Sequence, residues 1–187
     1  LASRHGIYPL CDSFDHGGPL TRTVRDAALM LQAFAGEDPL DPSTRGARVG
    51  DYSDKLGQSV KGLRIGVPES FFFDDLHPDT EKAVRAAIQV LADLGADVRE
   101  TALPFGQDDV DCWNTMALAE AFVVHEEHMA SQPEALAPDV RSRLELGRNI
   151  SARDYLAARE RQGVLKKKIA AHMEKFDVLA MPTSPIP

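Results

Sequence analysis

An α/β fold is predicted by three features of this 187-residue sequence. The stretch "GLRIGVP" (62–68) is a short strand-like segment fenced by Gly62 and Pro68, which is how a strand is punctuated. An amphipathic helical pattern follows in "HPDTEKAVRAAIQVLADLG" (77–95), and "ADVRETALP" (96–104) then alternates Val98, Thr101 and Leu103 with charged residues. Strand, helix and strand joined by short connections make a right-handed βαβ unit, so two parallel neighbouring strands are expected.

The elements follow in order. Residues 23–35 read as a helix, with Thr23 as N-cap, Asp26 three positions on, and Gly36 just past the end. Its apolar stripe is Val24, Ala27, Ala28, Leu31 and Ala35. The segment 36–54 is rich in Gly, Pro, Asp and Ser and is expected to be loop. In the 77–95 helix, Pro78 lies near the first turn, acidic residues come early and Gly95 ends it. The face Val84, Ala87, Ile88, Leu91 should pack on the sheet. Further helices are expected at about 110–130, 138–147 and 151–175. The last opens on Ser151 and Asp154, with Tyr155, Ala158, Gln162, Leu165, Ile169 and Met173 down one side. The closing "FDVLAMP" (176–182) is continuously apolar, as a strand buried on both faces would be.

Composition bounds the function. The chain is 43% hydrophobic and 27% charged, the balance of a globular protein of one domain. A formal net charge of −8 with no basic stripe argues against a nucleic-acid partner. The most basic stretch, "LKKKIAAHMEK" (165–175), spreads its lysines around a helix as a solvated face does. No run approaches the ~20 apolar residues of a membrane span, and no signal-peptide pattern is present. Cys11 and Cys112 are far apart and outside any CxxC spacing, so two free, buried thiols of a cytoplasmic protein are expected. The chain opens without Met at "LASRHGIYPL" and stops at "MPTSPIP", which reads as a piece of something longer.

Several constellations invite chemistry. "HEEH" (125–128) places its histidines at i and i+3 with no third ligand cluster, so a polar helix face is preferred to a metal site. Ser13, Asp15 and His16 hold the residue types of a nucleophilic triad, but neighbours this close in sequence rarely reach that geometry. Gly17-Gly18-Pro19 is too short for a phosphate loop, and Pro19 removes a donor. Arg143, near Arg141 and Arg148, is either a surface arginine or a clamp for a carboxylate or polarised carbonyl. Trp113, the only tryptophan, is either core or the wall of an apolar pocket.

Taken in order, these pieces resemble the amidase signature family. "SFDHGGPLTRTVRDAALMLQAFAGEDPLDPST" is similar to its Ser-x-Asp-x-x-Gly-Pro-x-x-Arg segment and following helix, carried here by Ser13, Asp15, Gly18, Pro19 and Arg22. "KGLRIGVPES" and "AVRAAIQVLADLGADVRETALP" resemble the strand, helix and strand of its βαβ unit. "RLELGRNISARDYLAARERQ" and "FDVLAMPTSPIP" resemble its late helices and Asp-x-x-x-x-Pro-Thr strand. Each motif is weak alone; five in family order are specific, and they cover essentially the whole chain.

The resemblance implies an α/β fold with a mixed sheet covered by helices, of which residues 1–187 are a single partial domain. It also implies amide hydrolysis by a Ser–cis-Ser–Lys triad, with backbone N–H groups holding the oxyanion. The Gly/Ser-rich stretch that carries both serines, and the triad lysine, have no match in residues 1–187, so no catalytic residue is assigned and the isolated chain is expected to be inactive. Ser13, Asp15 and Arg22 are expected to support the site. Arg143 matches an arginine that holds the glutamine carboxylate in the A-type chains of amidotransferases, and Trp113 falls where those chains carry a substrate-facing tyrosine; both are expected to bind substrate. Those chains continue with an Arg-[Phe/Tyr]-Asp-Gly signature and a longer helical insert, whereas this chain has "AFVVHEEHMASQPEALAPDV". A stand-alone amidase acting on a small carboxamide is therefore preferred to the corresponding component of a glutamyl-tRNA(Gln) amidotransferase, or to a non-catalytic binding module. No metal and no organic cofactor are expected, and a homo-oligomer is.

Overall fold

The computed structural model describes all residues from Leu1 to Pro187. The chain divides into two units, Leu1–Gln58 with Thr115–Ser151, and Ser59–Asn114 with Ala152–Pro187.

The second unit holds the sheet. Its strands are β1 (Arg64–Pro68), β2 (Asp97–Thr101) and β3 (Val178–Leu179), in the order β2-β1-β3. Helix α2 (Pro78–Asp93) connects β1 to β2, which pair in parallel from Arg64 opposite Asp97 to Pro68 opposite Thr101. The central strand buries Ile65, Gly66, Val67 and Pro68, as a strand with neighbours on both sides must. Gly66 is required by close approach. A Cβ there would lie 2.8 Å from Leu179 Cδ2 and 3.1 Å from the Phe176 ring.

Two expectations are corrected in this sheet. All pairings are parallel, so the mixed character expected of the sheet is absent from these three strands. The closing strand, expected over 176–182, pairs only at Val178–Leu179. It has β1 on one side and no strand on the other, and ladder hydrogen bonds define a strand only where a partner exists. Its entry is fixed by Asp177, whose carboxylate accepts from the Arg64 side chain at 2.7 Å and from the Arg64 backbone N–H at 2.9 Å.

Helix α2 begins on His77, whose ring accepts from the Asp79 N–H at 3.3 Å, and ends at Gly95 with φ +93°. Val84, Ile88 and Leu91 are half-buried rather than buried, and Ala87 is exposed. A sheet of three short strands is too narrow to cover the helix face fully. Arg85 ties the helix to the loop after β1, paired with Glu69 at 3.0 Å and Glu81 at 2.8 Å while lying 4.5 Å above the Phe73 ring.

Helix α3 (Gln107–Ser131) begins in this unit, and α5 (Ala152–Met173) lies wholly within it. Tyr155, Ala158, Gln162, Leu165, Ile169 and Met173 are all buried or half-buried, so the stripe read from the sequence is the packed face. Cys112 Sγ reaches the Ala158 carbonyl at 2.8 Å, and Arg161 pairs with Asp109 at 2.9 Å. Lys166, Lys167 and Lys168 are exposed.

The first unit packs α1 (Val24–Phe34), the later turns of α3 and α4 (Pro138–Glu145) with irregular segments. Thr23 caps α1 by accepting from the Asp26 N–H at 3.1 Å. The expected stripe holds apart from its first residue: Ala28 is buried and Ala27, Leu31 and Ala35 are half-buried, but Val24, in the first turn, is 76% exposed. The small core is Ala121, Phe122, Met129 and Leu144, with Leu136 against it. Gly147 lets the chain cross α3 closely, since a Cβ there would collide with the Leu118 carbonyl and sit 2.7 Å from Phe122 Cβ.

The 36–54 segment is irregular but tightly knit. Asp41 caps a single 3-10 turn, Pro42–Thr44. Its carboxylate accepts from the N–H groups of Arg4 at 2.8 Å and Ser43 at 3.0 Å. The Arg4 backbone N–H, helped by Ser43, holds the Asp41 carboxyl well below the usual carboxylate range. Thr44 is 1% exposed; its hydroxyl donates to the Asp41 carbonyl at 2.8 Å and accepts from the Asp38 N–H at 2.8 Å. No helix of the chain is long and apolar enough to cross a membrane.

Candidate functional site

The polar loop that leads into α1 is built by one side chain. Asp15 accepts from the backbone N–H of Leu10 at 2.8 Å and of Cys11 at 3.1 Å, while its own N–H donates to the Cys11 carbonyl at 2.9 Å. An aspartate satisfying backbone donors a few residues away is the usual way to close such a turn without regular structure. From the helix side, Glu120 of α3 accepts from the Ser13 N–H at 2.8 Å. Arg4 spans the other flank, 3.0 Å from the Asp12 carboxylate and 3.5 Å from that of Asp41.

These contacts leave a cleft of about 410 Å³, lined by Arg4, Asp12, Ser13, Asp15, His16 and Gly17 with Leu31 among its apolar residues. A second hollow of about 380 Å³ shares Arg4, Asp12, Asp15 and Ser43 with it. Ser13, Asp15 and His16 are not wired as a triad. His16 Nδ1 donates to the Phe14 carbonyl at 2.6 Å, and the Asp15 carboxylate is taken up by backbone donors. Burial pushes the Cys11 thiol up, and the Asp15 and Glu120 charges push it further the same way, so it is a poor nucleophile.

Of the residues singled out in the sequence, Ser13 and Asp15 are brought together in this cleft. Arg22 is exposed and does not line it. Arg143 lies on α4 of the first unit, exposed, with no partner for its guanidinium in the chain. Its neighbour Arg148 differs: it pairs with Glu145 at 2.6 Å and lies 5.0 Å over the Phe122 ring. Trp113 is on α3 within the second unit and 43% exposed, which is too open for a core tryptophan. The "HEEH" histidines flank Tyr8, whose hydroxyl meets His128 Nδ1 at 3.0 Å and whose ring lies 5.5 Å from that of His125.

Sequence reasoning missed Arg4, Asp41, Thr44 and Glu120. Asp41 had a readable signal, an Asp-Pro step that places a capping side chain before a proline at the first helical position. Arg4 and Glu120 had none, because their partners lie 37 and 107 positions away.

The model of the family described as Amidase matches residues 1–187. An amidase of Pseudomonas putida is 44% identical over 182 residues, covering 97% of this chain and 39% of its own length. The A-type chain of the glutamyl-tRNA(Gln) amidotransferase of Moorella thermoacetica is 34% identical over 206 residues, covering 98% of this chain and 42% of its own. Among solved structures, an inhibitor-bound complex bearing on the origins of an s-triazine catabolic enzyme superposes with TM-score 0.88 at 30% identity. It covers 99% of this chain and 40% of its own. The A-type chain of the Thermotoga maritima glutamyl-tRNA(Gln) amidotransferase gives TM-score 0.78 at 28% identity, covering 100% of this chain and 41% of its own. The chain thus spans about two-fifths of the length of the relatives it matches. With five motifs in order, a parallel βαβ unit and a match along its whole length, the chain belongs to the amidase family.

Proposed function

We propose that this chain is part of a hydrolase that cleaves the carbon–nitrogen bond of a small carboxamide, working as a stand-alone cytoplasmic amidase. One observation favours this over a component of an amidotransferase. The Pseudomonas putida amidase aligns over 182 positions, within the length of this chain. The Moorella thermoacetica protein needs 206, more than the 187 residues present, so it carries extra residues inside the matched span. That agrees with the missing insert after α3.

In this reading the nucleophile and base lie outside residues 1–187. A lysine takes the proton of the attacking serine through a middle serine, the serine oxygen adds to the amide carbon, and backbone N–H groups hold the oxyanion. Expulsion of the amine leaves an acyl-enzyme, which water releases as the acid. The residues of this chain bind and orient. Arg143 anchors a polar group of the substrate, its unpartnered guanidinium supplying a preformed fork of donors. Trp113 offers an exposed apolar face, and Ser13 and Asp15 support the site from the loop before α1. Exposed apolar side chains such as Leu20 and Val24 fit a protein that self-associates or packs against further chain.

The test is to express this chain with the residues encoded upstream of it and assay a panel of carboxamides for release of acid and ammonia without tRNA. Arg143→Ala should weaken kcat/KM by about 10–100-fold, the loss of a hydrogen bond to a charged or polarised group. Its effect on stability should stay within about 0.5 kcal/mol, as expected for an exposed residue. Turnover only with partner proteins and charged tRNA would overturn the stand-alone reading, and an unchanged kcat/KM would remove Arg143 from the site.

A further inference from the structure

We infer that Glu120 is a positioning residue for this site, acting through Ser13; the inference rests on the amidase reading of the cleft. Asp15 closes the start of the polar loop by taking the N–H groups of Leu10 and Cys11. The Ser13 N–H instead points to α3, where Glu120 Oε2 accepts it at 2.8 Å. A hydrogen bond from a backbone amide to a carboxylate is charge-assisted and directional. It therefore fixes the Ser13 peptide plane, and with it the direction from which the Ser13 side chain enters the cleft.

The placement of Glu120 is not explained by surface solvation. Glu120 is half-buried on α3 and accepts from a segment 107 positions away. Its charge also bears on the buried Cys11 thiol beneath the same loop. Asp15 and Glu120 thus form a pair of carboxylates gripping one loop from two sides, one from within it and one from a rigid helix. Sites gain precision when loop residues are locked by such support from regular elements. Glu120 touches no reacting atom in this scheme; Ser13 is what it delivers.

The test uses the full-length protein and the variants Glu120→Ala and Glu120→Gln. Glutamine keeps an oxygen acceptor for the Ser13 N–H but no charge, whereas alanine removes both. Glu120→Ala should lower kcat/KM by about 10-fold or more, a misplacement effect, and Glu120→Gln should recover most of it with an unshifted pH profile. Ser13→Ala and Glu120→Ala together should cost no more than the worse single change, because both act through one side chain. A thermal midpoint that falls in Glu120→Ala while kcat/KM stays unchanged would overturn the inference, as would Glu120→Gln matching the alanine variant. If the wild-type protein turns over no amide, the parent reading fails but this one is still decided. Hydrogen exchange at the Ser13 amide should speed up in Glu120→Ala and stay slow in Glu120→Gln, and equal exchange in all three would overturn it.

Discussion

Each of the two units of this chain is held together by its own kind of contact. In the second, a parallel sheet buries Ile65 and Val67 at 1% and 3% exposure, and helices lie alongside it by apolar stripes. In the first, the segments before and after α1 have no sheet, and their order comes from side chains bonded to backbone: Asp15, Asp41, Thr44 and Glu120. Apolar packing spreads its stabilisation over many weak contacts, so losing one of them strands no polar group. In a knot of directed hydrogen bonds, each lost partner leaves a stranded polar group. The first unit should therefore be the more brittle under single substitutions.

The largest effect is expected where the first unit has no room at all. Gly147→Ala would drive a Cβ into the Leu118 carbonyl and to 2.7 Å from Phe122 Cβ. Backbone cannot step aside as a side-chain tip can, so the cost should reach about 3 kcal/mol or more, the upper end for overpacking. Chemical denaturation should show a large drop in midpoint. A near-wild-type midpoint would mean that α4 and α3 can separate, and that the first unit is more plastic than its contacts suggest.

Next in size is Thr44→Val, which keeps the shape and deletes the hydroxyl. The Asp41 carbonyl and the Asp38 N–H each lose a partner at a position that is 1% exposed, so about 1–3 kcal/mol should be lost. The same denaturation experiment measures it. A loss below that range would show that water replaces the hydroxyl, and would weaken the contrast between the units.

The smallest effect is graded with pH and compares one carboxylate from each unit. Asp177 is held at about 2, first by the Arg64 side chain and then by the Arg64 backbone N–H. Asp41 is held lower still by Arg4 and Ser43. Both folded values lie below the ordinary 3.8, so each contribution is fully present above about pH 4. Each is lost as the pH falls from there through the folded value. Asp41→Asn should accordingly remove more of the acid sensitivity than Asp177→Asn when unfolding is followed between pH 5 and pH 2. Equal flattening of the two pH profiles would deny the first unit its special dependence on carboxylates.

The same division explains what could be read in advance. Elements defined by periodicity were legible: the parallel βαβ unit, the α5 stripe from Tyr155 to Met173, and the Thr23 cap of α1. Two free, buried cysteines were legible for a related reason, since thiols without a motif behave as small apolar groups. Elements that depend on a neighbour were not. Val24 reads as part of the α1 stripe, yet it is exposed while the rest of that stripe is covered, because cover over the first turn depends on what packs there. The 36–54 segment reads as a plain loop because its glue, Asp41 and Thr44, is made of residues that also serve as ordinary turn formers.

For the candidate site, the sequence by itself determined the residue types, the order of the motifs and the family to which they belong. It marked Ser13 and Asp15 as companions because they are two positions apart on one loop. Tertiary structure alone decided that Asp15 folds that loop onto its own backbone, that Glu120 reaches it from 107 positions away, and that the Arg143 guanidinium stays unpartnered while that of Arg148 does not. The physical reason is range. Propensity, capping and periodicity act over a few residues and leave a record in local sequence. A hydrogen bond between distant segments is fixed only when the whole chain has chosen how to bury its apolar surface.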